Sequence, residues 1–143
     1  MITLEQYRRK PMPPAHVTSA EDLLRRRNAL RAEWTLATGK TCPIDPDTES
    51  EISGVARGDG DGGYRTPGTR TGAAGSSHRD GRGVDDYDPL NELDSWLDQF
   101  EDGQGGNGML EKHGLYREHP SATPGWCHLS TKAPGSGKRT FYP

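Results

Sequence analysis

The sequence predicts an α+β fold: a small, mostly antiparallel sheet flanked by helices, loop-rich and forming a single domain. Three observations predict it. Leucine and tryptophan recur at helical spacing in two separate stretches, around residues 23–37 and 90–100. Trp126-Cys127-His128-Leu129 alternates in the manner of a short strand. Glycine (19) and proline (11) make up about a fifth of the 143 residues, which leaves much of the chain to turns and loops. The length suits one domain, with a helical segment over residues 1–45 and a core over 46–143.

Residues 3–10 read as a short helix stopped by Pro11-Met12-Pro13-Pro14. Ser19 is a good N-cap, with Asp22 three positions on, close to a capping box. Leu23, Leu24, Leu30, Trp34 and Ala37 then mark a helix ended by Gly39. Arg25, Arg26, Arg27 and Arg31 read as its solvated face. Residues 40–75 read as loop. Gly58-Asp59-Gly60-Asp61-Gly62-Gly63 lacks the spaced oxygen ligands and closing glutamate of an EF-hand, so a flexible turn is expected there. A further helix follows Asp88-Pro89 and runs to about Phe100, with the stripe Leu90, Leu93, Trp96, Leu97 and Phe100. Gly103 to Gly108 is a connector. Met109 to His113 forms a short helix capped by Gly114. Short strands are expected near Trp126–Ser130 and Arg139–Tyr142.

Only 29% of the residues are hydrophobic and the mean hydropathy is −0.95. The core must be small, and a bound metal would add stability to it. A net charge of −3 gives no case for nucleic-acid binding. No segment approaches a membrane span, and Met1 to Gln6 lacks the apolar run of a signal peptide. The expectation is a product made in the cytoplasm, with no membrane insertion. Cys42 and Cys127 read as free thiols, with no disulfide framework around them.

The richest stretch is Ser76-Ser77-His78-Arg79-Asp80-Gly81-Arg82-Gly83-Val84-Asp85. Histidine and aspartate are zinc ligands, and two histidines with one carboxylate make an open three-ligand site. His78, Asp85 and His128 are the candidates. Their spacing suits extended pieces joined by a turn, and it equally suits a hydrogen-bonded turn without metal. Strand alternation sets Asp86 on the face away from Asp85, and Cys127 on the face away from His128. Asp88 reads as the cap of the helix that follows. His113 sits in a last helical turn, where its cation suits the helix dipole. His119 reads as a surface residue, and His16 carries no signal.

Ser76, His78, Gly81 and Asp85 resemble the S-x-H-x-x-G-x-A-x-D signature of the D-alanyl-D-alanine carboxypeptidase and dipeptidase family of zinc peptidases, which includes phage endolysins. Gly63-Tyr64-Arg65 is similar to its S-G-Y-R segment, and Trp126-x-His128 to the segment supplying its last ligand. The resemblance covers roughly residues 50–143 and favours the metal over the plain turn. It implies zinc on His78, Asp85 and His128, a zinc-peptidase-like core over 46–143, and Arg65 as a substrate-holding residue. It also implies peptidoglycan peptides as partners, and action at the cell wall or within a virion, beside other phage virion proteins. The family's general-base glutamate stands three residues before the final histidine. Here that position is Gly125, and Glu118 is the nearest upstream carboxylate that could act as base. Two outcomes stay open: a zinc-dependent hydrolase of stem peptides, or a catalytically weak or inactive virion or tail protein that keeps the fold.

Overall fold

The computed structural model describes residues 1–54, 62–65 and 77–143. The helices are α1 (Leu4–Arg8), α2 (Pro14–Thr38), α3 (Glu92–Asp98) and α4 (Gly108–His113). The strands are β1 (Gly83–Tyr87), β2 (Tyr116–Glu118), β3 (Trp126–Ser130) and β4 (Thr140–Phe141). Single 3-10 turns at Ser77–Asp80 and Pro120–Ala122 are the remaining elements among the described residues. The sheet runs β1-β3-β2-β4, with β1/β3 and β3/β2 antiparallel and β2/β4 parallel. The fold is α+β, as the sequence predicts. The outer edge of β1 is covered by short pieces of loop: Ser53 donates to the Asp85 carbonyl, and Asp85 to the Gly62 carbonyl.

Helix α2 departs from expectation at its start. It begins at Pro14, five residues before Ser19, because a proline at the first helical position loses no hydrogen bond and already has helical φ. Ser19 is therefore interior, its hydroxyl donating to the Ala15 carbonyl at 3.2 Å. Asp22 binds Arg25 and Arg26 rather than capping anything. The larger correction concerns the arginines. Arg25 and Arg26 do reach solvent, but Arg27 and Arg31 are buried at 0% and 2% exposure. The buried positions 20, 23, 24, 27, 30, 31 and 34 make one unbroken helical stripe, and the two arginines lie within it.

Ile2, Tyr7, Leu23, Leu30, Trp34, Val84, Leu93, Leu97, Leu110 and Leu129 belong to one core cluster, so residues 1–45 and the sheet share their apolar interior. Trp96 joins it and meets Phe100 edge-on at 5.2 Å. Leu90, expected on that stripe, precedes α3 and is 76% exposed. Asp88 caps α3 as expected, accepting the amides of Leu93 and Asp94. α4 ends at Gly114, as expected. Strand β2 was not legible in the sequence. Among the described residues no helix is long and apolar enough to cross a membrane. The expected turn over 58–61, and Ser76 of the signature, lie outside the described residues.

Candidate metal centre

Alternation along the strands divides the sheet into two chemically distinct faces. The register pairs Val84 with Leu129 and Asp86 with Cys127 on one face, and Asp85 with His128 on the other. Arg117 pairs with Leu129, so it shares the first face. Continuing that register by one residue sets Glu118 opposite His128. Phe141, paired with Glu118, completes a row across four strands.

His78 reaches this row from the 3-10 turn just before β1. Three ligand atoms then converge. His128 Nδ1 lies 2.8 Å from Asp85 Oδ1. His78 Nε2 lies 3.2 Å from His128 Nδ1 and 3.2 Å from the same carboxylate oxygen. All three side chains are buried. His78 Nδ1 donates to the Gly63 carbonyl at 2.8 Å, which leaves the Nε2 lone pair aimed at the other two. Ligands about 2.0–2.1 Å from a tetrahedral ion stand roughly 3.3 Å apart, and this triangle is close to that size. These residues can hold a metal ion, and the donor set of two imidazoles and one carboxylate fits one.

Electrostatics at the site follow from burial and pairing. Burial works against the Asp85 carboxylate, but His78 and His128 beside it hold its pKa well below the usual range. Burial works against a His128 cation, yet the hydrogen bond and charge of Asp85, with the charge of Glu118, raise its pKa. Arg65 Nη2 stands 3.4 Å from Asp85 Oδ2, with its side chain 4% exposed. All five residues singled out in the sequence, Arg65, His78, Asp85, Glu118 and His128, thus gather at one face. His113 and His119 do not join them. His113 bonds Glu33 at 3.2 Å, and His119 stacks on Tyr142. Asp86 points away, as expected, into the helices.

One contact had no sequence signal. Ser77 Oγ lies 3.3 Å from His128 Nε2, and nothing marks a serine one residue before a histidine. His16, read as carrying no signal, places Nδ1 2.9 Å from the Tyr64 hydroxyl. Gly125 leads into β3 with φ +92°, a conformation that resists a side chain.

No family model, no curated protein and no solved structure matches the chain.

Proposed function

We propose that the chain binds zinc through His78, Asp85 and His128 and acts on the stem peptides of peptidoglycan, as a phage-type metallopeptidase. The observation that supports this most is the buried triangle of donor atoms with Glu118 and Arg65 on the same face. Bound zinc supplies a Lewis acid and lowers the pKa of water to about 7. Glu118, opposite His128 in register, takes the proton of the attacking water. Arg65 holds a substrate carboxylate or the developing oxyanion, while its contact with Asp85 keeps the guanidinium oriented.

Metal analysis of the purified protein, paired with mass spectrometry of digested peptidoglycan, tests this. The expected result is one zinc per chain and released peptides, with turnover falling about 10²–10⁴-fold in Glu118→Gln. Zinc bound without any release of peptides would favour the second reading, a virion or tail protein that keeps the metal as a structural tie. Gly125 supports that alternative, because its positive φ leaves the position three residues before His128 unsuited to any glutamate.

A further inference from the structure

We infer that Ser77 is a positioning residue: its hydroxyl accepts the Nε2–H of His128 and so turns the Nδ1 lone pair of that ring toward His78 and Asp85. The inference rests on the reading that this trio holds a metal. A neutral imidazole carries one proton, and the partner of one ring nitrogen decides whether the other can act as a ligand. Ser77 Oγ stands 3.3 Å from His128 Nε2, while Nδ1 faces Asp85 Oδ1 at 2.8 Å and His78 Nε2 at 3.2 Å.

The two partners are held independently. His128 sits in the β1/β3 ladder opposite Asp85. Ser77 is only 8% exposed, and its carbonyl accepts the Arg82 amide at 2.9 Å, closing the turn that leads into β1. Gly83 makes the contact possible. A Cβ at position 83 would overlap the Ser77 hydroxyl and come within 3.2 Å of His128 Cε1. The bare backbone at Gly83 is the space the hydroxyl occupies.

The same atoms also have the order of a Ser-His-Asp relay, in which Ser77 would donate to Nε2 and His128 Nδ1–H to Asp85. That assignment puts the ring proton on the opposite nitrogen. His78 favours the first: with its Nδ1–H given to the Gly63 carbonyl, its Nε2 lone pair points at the same spot as the Asp85 carboxylate. A cation there satisfies both, and a relay has no use for a second histidine.

The full chain would be titrated with zinc against a chromogenic chelator, as wild type, Ser77→Ala, Gly83→Ala and His128→Ala. ¹⁵N-edited spectra would report the His128 tautomer. Wild type should bind one zinc, with His128 protonated on Nε2. Ser77→Ala should bind about 10–100-fold more weakly, with little change in the Tm of the metal-free protein. Gly83→Ala, which displaces the hydroxyl by crowding, should weaken zinc in the same direction. Equal zinc affinity in wild type and Ser77→Ala overturns the positioning role and leaves the metal reading standing. A wild type that takes up no more zinc than His128→Ala overturns both. Labelling of Ser77 in metal-free protein by a fluorophosphonate, with His128 protonated on Nδ1, overturns the inference in favour of a serine nucleophile.

Discussion

Asp85 and Asp86 are neighbours on one strand, both buried, and they meet opposite surroundings. Asp86 faces the helices and is held by two guanidinium groups: Arg27 Nε, and Arg31 Nη2 at 2.6 Å, with Arg27 reaching on to Glu51 at 2.8 Å. On the same face Arg117 gathers Asp94, Asp98 and Glu101. Each of these five carboxylates has a cation supplied by the chain. Asp85 faces two imidazoles, and all three donor atoms aim at one point. Arg65 approaches only its second oxygen. The helix-facing side is therefore closed electrostatically, and the other side gathers lone pairs that a bound cation would complete. Alternation alone sends two residues of identical chemistry to opposite places: Asp86 into an ion-paired interior, and Asp85 into a cluster that could hold a metal ion.

The sharpest way to break this comparison is to remove one partner from each face. Asp86→Ala strands Arg27 and Arg31 in the interior and should cost roughly 3–5 kcal/mol in urea unfolding. His78→Ala in metal-free protein should cost less, on the order of 1–2 kcal/mol, from the bond to the Gly63 carbonyl and the contacts with Asp85 and His128. Equal losses would mean that both faces are structural. Next in size is the metal itself. Zinc at a hundredfold excess over Kd should stabilise wild type by about 2.7 kcal/mol. It should do nothing for a His78→Ala/His128→Ala double variant, and paired thermal melts with and without a chelator check this. Gly125→Glu would place a carboxylate three residues before His128. Its positive φ makes a penalty of about 1–2 kcal/mol the expected result, with no gain in peptide turnover.

The site face was the more legible of the two. His78, Asp85 and His128 carry a residue-type signal, and period-two alternation was enough to separate Asp85 from Asp86. The helix-facing side was misread because arginines in a helix suggest solvent. Their partner, Asp86, lies 59 and 55 residues away, and no local pattern couples them. Their positions held the clue, since 27 and 31 fall on the same stripe as Leu23, Leu30 and Trp34. Strand β2 was missed because it is three residues long and its middle residue is a charged Arg117, buried only by virtue of Asp94 and its neighbours. The start of α2 was missed because a proline was taken to end structure where it begins one.

The smallest expected effect concerns pH and is read through Glu51 and Asp94 on the helix-facing side. Burial works against the Glu51 carboxylate, but Arg27 and the amino terminus hold its pKa below the ordinary 4.5. A depressed folded pKa gives stability that is present above the unfolded value and lost as pH falls, so Glu51 contributes an acid limb below about pH 4.5. Asp94 behaves in the opposite sense. Burial raises it to about 6 even beside Arg117. A raised folded pKa gives stability that is complete below the unfolded value of 3.8 and lost as pH rises through 6. The two groups oppose each other only where their windows overlap, at about pH 4–4.5, and above that the decline from Asp94 is unopposed by Glu51. Melting temperatures measured across pH 3–7 with a chelator present keep metal out of the measurement, and the contribution of Asp85, whose depressed pKa acts in the same sense as that of Glu51, is common to wild type and both variants below. Glu51→Gln should shrink the acid limb, which Asp86 and Glu101 share, and Asp94→Asn should reduce the decline between about pH 4 and 6, which Asp88 shares. If the profiles of both variants overlay that of wild type, the charges on the helix-facing side do not set the acid response, and the division of labour between the two faces of the sheet fails at its most sensitive point.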